Sequence, residues 1–124
     1  MAKKSLRAMS PAETEILRLV WQLECATVRE VCKNLPRKRK IAYKTVLTLL
    51  TRLEEKGYLK HDVVEKAYVF SPAIARKAVV KRTVLDFLDR LFGGDPTPLM
   101  QFLVEDGHVD GEDIEKLKEL LEKS

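Results

Sequence analysis

Between Pro36 and Gly57 the sequence concentrates side chains able to hold a polyanion. Arg37, Lys38, Arg39 and Lys40 stand in a row, and Lys44, Thr48, Thr51 and Glu55 then recur at the spacing of one helix face, flanked by Thr45 and Arg52. Ammonium and guanidinium groups pair with phosphate oxygens, while short hydroxyls exchange hydrogen bonds with base edges. Three threonines in seven positions (Thr45, Thr48, Thr51) are not what helix propensity alone selects. The spacing therefore points to a helix presented to phosphates and bases, with the preceding four cations adding phosphate contacts.

A helix that presents one face must bury the other. Val46, Leu49, Leu50 and Leu53 fall at i, i+3, i+4 and i+7, an apolar stripe opposite the polar face, and Gly57 supplies a C-terminal cap. Two helices precede it, the second of them shorter. Ser10-Pro11-Ala12-Glu13 is a capping box with proline at the first helical position; Ile16, Leu17, Leu19, Val20 and Leu23 form the buried face, with Trp21 at its edge. Thr27-Val28-Arg29-Glu30 repeats the box, and Val28, Val31, Cys32 and Leu35 pack inward before Pro36. After Gly57 the period falls to about two: Leu59 to Val64 and Ala67 to Phe70 read as a hairpin ending at Ser71-Pro72, with Tyr68 and Phe70 packing beneath it. Three helices and a hairpin in this order predict a winged helix-turn-helix, with the hairpin tip as the wing.

The remaining sequence is helical and amphipathic. A helix from about Ala73 to Phe92 places Val80, Val84, Phe87, Leu88 and Leu91 on one face and is stopped by Gly93-Gly94. A short apolar segment from Pro98 to Glu105 contains Phe102, and a last helix capped near Asp110 bears Ile114, Leu117, Leu120 and Leu121. These segments hold more apolar surface than they can cover alone, so a two-fold dimer is expected, with Val80, Val84, Phe87, Leu88, Leu91, Phe102, Leu117 and Leu121 at the interface. The fold class expected is mainly α with a small β-hairpin: a winged helix-turn-helix domain over residues 1–72, a hinge at Ser71 to Ala75, and a helical dimerisation domain over 73–124.

Charge follows the same division. Residues 1–60 hold 14 Lys and Arg against 6 Asp and Glu, net +8, whereas residues 61–124 hold 9 against 13, net −4. A basic first half suits a polyanionic partner. No run of 18 apolar residues exists and MAKKSLRAMSPAE has no apolar core of a signal peptide, so a cytoplasmic protein without membrane insertion is expected. Cys25 and Cys32, seven apart and on two different helices, read as reduced thiols, and His61 and His108 are single, so no metal or other cofactor is expected. No H-E-x-x-H, G-x-S-x-G or glycine-rich phosphate loop is present, and the acidic pair Asp86 and Asp89 fits a solvated helix face; an enzyme is not expected. The rival to nucleic-acid recognition is a winged-helix protein-interaction module with non-specific nucleic-acid affinity. Only Tyr43 and Leu47 offer such a module an anchor on the exposed helix.

Several stretches in order resemble the penicillinase repressors, a family that includes methicillin-resistance and copper-responsive repressors of bacteria. They are Ser10-Pro11-Ala12-Glu13 with Val20-Trp21; Thr27-Val28-Arg29-Glu30-Val31; Ala42-Tyr43-Lys44-Thr45-Val46 with Thr48-Leu49-Leu50-Thr51-Arg52-Leu53 and Lys56-Gly57; Ala67-Tyr68-Val69-Phe70-Ser71-Pro72; and Phe92-Gly93-Gly94 with Leu117-Lys118-Glu119-Leu120-Leu121. The resemblance implies a homodimeric transcriptional repressor on a palindromic double-stranded operator with TACA and TGTA half-sites. It implies that Lys44, Thr45 and Thr48 reach the major groove, that Arg52 meets the flanking backbone and that Lys66 takes the wing position of an arginine. With Arg37 to Lys40 and Tyr43, these complete the expected DNA-binding set. It also implies an upstream signal from a membrane-bound protease sensor, with cleavage in the dimerisation domain at a bond that corresponds here to Gln101-Phe102. This chain departs from the family pattern in Glu65, where a wing glycine is common, in Ile41-Ala42, where tryptophan-serine is common, and in an end, Glu122-Lys123-Ser124, without the cysteines of copper-responsive members.

Overall fold

The computed structural model describes residues 7–36 and 41–124. Its elements run α1 (Pro11–Leu23), β1 (Ala26–Thr27), α2 (Val28–Asn34), α3 (Tyr43–Glu55), β2 (Leu59–Val64), β3 (Ala67–Pro72), α4 (Arg76–Phe92), α5 (Thr97–Glu105) and α6 (Gly111–Lys123). This is a winged helix followed by further helices, as the sequence predicts. The described residues form two compact units, one up to Val79 and one from Val80 to Ser124, with the boundary inside α4.

Three helices start where the sequence marks them, because reciprocal capping satisfies donors that the first turn leaves free. At α1 the Ser10 Oγ accepts from the Glu13 N–H at 3.1 Å and the Glu13 carboxylate accepts from the Ser10 N–H at 2.8 Å. Thr27 and Glu30 repeat this at α2, and Asp110 and Asp113 at α6. α3 begins differently: Ala42 is its N-cap and gives no side-chain bond. Its end is well closed. Gly57, at φ +93°, lets the Tyr58 N–H reach the Leu53 carbonyl at 2.9 Å while its own N–H reaches Glu54 at 3.0 Å, the paired pattern that terminates a helix with a left-handed residue.

The first unit has one core. Ile16, Leu17 and Val20 of α1, Val28 and Val31 of α2, Val46, Leu49, Leu50 and Leu53 of α3, Leu59 of β2, Phe70 of β3 and Val79 of α4 are all buried in it. Each such side chain contributes roughly 1.5–3 kcal/mol by leaving water. Trp21 packs against the edge of this core, and the Arg76 guanidinium lies 5.8 Å from its ring centroid, a cation–π contact.

Four details differ from the sequence-based expectation. The hairpin belongs to a three-stranded antiparallel sheet in the order β1-β3-β2, because Ala26 and Thr27 pair with Phe70 and Val69. α4 starts at Arg76 rather than Ala73: the Ala73 N–H is held by the Tyr58 carbonyl at 2.9 Å, which keeps the chain extended past Pro72. Cys25 lies exposed in the connection between α1 and β1 rather than on a helix, and both thiols are free. Tyr68, expected to pack under the wing with Phe70, is 49% exposed, whereas Phe70 is buried. Phe70 sits where β1 and β2 flank it, and Tyr68 lies beyond the short β1, near the turn of the hairpin.

In the second unit no residue from Val80 to Ser124 is fully buried. Gly93 and Gly94, at φ +61° and +88°, close α4, with their N–H groups on the carbonyls of Asp89 and Leu88. Val80, Val84, Phe87, Leu91, Phe102, Leu117 and Leu121 are exposed, and Leu88 is half-buried. No helix among the described residues is long and apolar enough to cross a membrane.

Candidate nucleic-acid interface

The core fixes the rotation of α3 about its own axis. With Val46, Leu49, Leu50 and Leu53 turned inward, Tyr43, Lys44, Thr45, Thr48, Thr51, Arg52 and Glu55 are all exposed. Lys44, Thr45, Thr48 and Arg52 thus share the solvent side of one rigid helix, as their spacing predicts. The hydroxyls of Thr48 and Thr51 donate back to the carbonyls of Lys44 and Leu47, at 3.0 and 2.8 Å. Each oxygen retains lone pairs for an incoming donor, and its hydrogen is available after a rotamer change. Arg37, Lys38, Arg39 and Lys40 lie outside the described residues.

Lys66 is exposed at the wing tip, next to Glu65. Both have positive φ, +49° at Glu65 and +66° at Lys66, and they connect the facing pair Val64 and Ala67 as a two-residue turn. Positive φ at both central positions is the backbone that favours Asn-Gly or Gly-Gly, so the turn keeps its tight geometry with two residues poorly suited to it.

Two side-chain contacts hold the last turn of α3 to its surroundings. Glu54 accepts from His61 of β2, with both carboxylate oxygens within 2.8 Å of Nδ1, and the His61 ring stacks on Tyr68 at 4.4 Å between centroids. This ties α3 to the wing. On the other side Lys56 Nζ lies 2.6 Å from the Glu13 carboxylate and donates to the Ala8 carbonyl at 2.9 Å. Glu13 is only 2% exposed. Burial pushes its carboxyl up, but the hydrogen bond from Lys56, the Ser10 N–H and the Lys56 charge together hold it below its ordinary value of 4.5. The Tyr58 hydroxyl adds a bond to the Arg7 carbonyl. Periodicity could not reveal either contact, since each joins residues on different elements.

Among the described residues no group of His, Cys, Asp or Glu is placed to hold a metal ion. His108 pairs with Asp106 at 2.8 Å on the surface of the second unit. Gln101 and Phe102 are both exposed, within α5.

Comparison with known proteins agrees with this architecture. The family profile described as penicillinase repressor matches residues 9–123. The penicillinase repressor of Bacillus licheniformis is 28% identical over 97% of this chain and 94% of its own, and that of Staphylococcus aureus 27% identical over 98% and 95%. A solution structure of the Bacillus licheniformis repressor BlaI, in monomeric form with the blaP half-operator, superposes with a TM-score of 0.50 at 30% identity. It covers 58% of this chain and 88% of that one. With a match from the first capped helix to the end of α6, the chain belongs to the penicillinase repressor family.

Proposed function

We propose that the chain is a homodimeric transcriptional repressor that occupies a palindromic operator with TACA and TGTA half-sites. The observation that carries this is the exposed face of α3, where Lys44, Thr45, Thr48 and Arg52 stand together on a helix whose opposite side is locked into the core. Lys44, Thr45 and Thr48 take the major groove; Arg52, Lys66 and the Arg37 to Lys40 run take phosphates, and Tyr43 lies beside them. Further support comes from BlaI, whose DNA-binding fold is shared and which has been solved with a half-operator. Residues 1–72 serve as the DNA-binding domain and 73–124 as the dimerisation domain.

The exposed apolar side chains of α4, α5 and α6 support the dimer, since a second copy covers them through a self-complementary face. Release comes from an upstream signal acting on this half. Cleavage at Gln101-Phe102, set off by a membrane-bound protease sensor, splits α5 and removes its last residues together with α6, and with them Phe102, Leu117 and Leu121. The protein works in the cytoplasm, where the operator is.

The deciding experiment is fluorescence anisotropy with a labelled TACA/TGTA palindrome and a scrambled duplex across a salt series. Tight binding of a dimer to the palindrome alone, weakening steeply with salt, is the expected result. Equal weak binding to both duplexes overturns the specific reading and favours a protein-docking module. Intact mass of the chain recovered from cells challenged with a β-lactam tests release: a fragment ending at Gln101 is expected, and derepression with the chain intact assigns the signal elsewhere.

A further inference from the structure

A groove of about 330 Å³ runs beside α3, between α2 and the wing. Its walls include Arg29 of α2, Tyr43 and Leu47 of α3, and Lys66 and Tyr68 of the wing. Arg29 belongs neither to the recognition helix nor to the wing, and the composition of the exposed α3 face gives it no role.

We infer that this groove receives one strand of the duplex backbone, and that Arg29 is a phosphate-holding residue acting across it from Lys66. The inference rests on the DNA-binding reading and adds a third element, α2, to the contact surface. Four observations carry it. The groove brings a guanidinium and an ammonium from separate elements to one channel, and no carboxylate is among its lining residues. The nearest acid on α2, Glu30, is turned to its own cap, with its carboxylate on the Thr27 N–H at 2.9 Å. Arg29 is exposed and makes no ion pair among the described residues, so its charge is available. The two tyrosines are about half exposed, 54% at Tyr43 and 49% at Tyr68, which describes an open channel suited to a passing strand. Small-molecule sites, by contrast, enclose most of their ligand.

A phosphate contact has a signature that a base contact lacks. Each neutralised phosphate releases condensed counterions, so losing one contact lowers the salt slope by about one and weakens binding on every sequence alike. The test uses the full chain, with anisotropy on the palindrome and on the scrambled duplex over the salt series. Arg29→Gln is expected to lower the slope by about one per bound protomer on both duplexes, and Arg29→Lys to restore it. Arg29→Gln with Lys66→Gln is expected to lower it by about two. Lys116→Gln, which removes a cation on α6, controls for net charge. A wild-type slope in Arg29→Gln overturns the inference while leaving the DNA-binding reading in place, and so does an equal drop in Lys116→Gln. A wild-type chain with no salt-dependent binding to either duplex overturns both. Because Arg29 is exposed, its variants should melt as the wild type does, and matching thermal curves separate lost contact from lost fold.

Discussion

Replacing Lys56 with methionine tests whether the orientation of α3 depends on a buried charge. Lys56 Nζ sits 2.6 Å from the carboxylate of Glu13, with the two side chains 20% and 2% exposed. Removing one partner of a buried pair costs about 3–5 kcal/mol, because the other charge stays behind unpaired. Here the cost lies lower, at about 2–3 kcal/mol, since Glu13 keeps the Ser10 N–H at 2.8 Å and methionine preserves most of the lysine stem. Thermal denaturation should therefore shift down by on the order of 10 °C. The pH dependence discriminates further. In the wild type the Glu13 carboxyl is held below 4.5 when folded, so its contribution is present above that pH and fades as pH falls through the folded value. Without Lys56 the carboxyl loses the hydrogen bond and the charge that lower it most beside the Ser10 N–H, so its folded value rises from that of the wild type and less stability is lost as pH falls. The gap between variant and wild type should narrow from pH 7 to pH 4. Adding Glu13→Gln to Lys56→Met should recover part of the loss, because no charge is then stranded. A cost below about 0.5 kcal/mol at pH 7, or an equal cost at both pH values, would refute the reasoning.

Other substitutions separate the remaining roles. Lys44→Glu should abolish binding to palindromic and scrambled duplexes while shifting stability by no more than about 0.5 kcal/mol, since the side chain is exposed; unchanged operator affinity would remove α3 from the interface. Leu88→Asp should give a monomer in sedimentation velocity and lose the second half-site's share of operator affinity, and a variant that still sediments as a dimer would show that this face of α4 does not mediate association. Glu65→Gly should stabilise the chain by about 0.5–1 kcal/mol, because a residue at φ +49° gives way to one with no side-chain conflict there. A lowered melting temperature in that variant would mean the turn does not hold the positive φ in solution.

What the sequence made readable was local and periodic. Ser10 with Glu13 and Thr27 with Glu30 announce helix starts through bonds within three residues, and the spacing of Val46, Leu49, Leu50 and Leu53 by itself assigns a buried and an exposed side to α3. The polar face therefore followed from the apolar one. The two-residue strand Ala26–Thr27 has no periodicity to detect, and it exists only because β3 offers Val69 and Phe70 as partners. Tyr68 escaped for a related reason: alternation places it on the same side as Phe70, but it lies nearer the turn, past the last residue of β3 that β1 pairs with, and is 49% exposed. Val79 is buried in the first unit although it lies one residue before a run of exposed apolar positions on the same helix. Arg29 entered the sequence reading only as part of the Thr27-Val28-Arg29-Glu30 box, since its relation to Lys66 arises only when the wing folds back beside α2.

The two ends of α3 are built for different tasks. Its first turn has no side-chain cap at Ala42, and Tyr43, Lys44 and Thr45 are all exposed there, so the polar groups of this turn remain open to a ligand. Its last turn is fastened on both sides, by Glu54 to His61 and by Lys56 to Glu13, and then closed by Gly57. Glu55, the one acid on the exposed face, falls in this fastened turn, away from Lys44 and Thr45, where it does least to repel a phosphate. If α3 reads the operator as proposed, changes at Lys44, Thr45 or Thr48 are expected to alter which bases are read at little cost in stability, because none of these side chains enters the core. On the same proposal, changes at Glu54 or Lys56 are expected to act through the pose of the whole helix, weakening every operator contact together and leaving the preference among sequences unchanged.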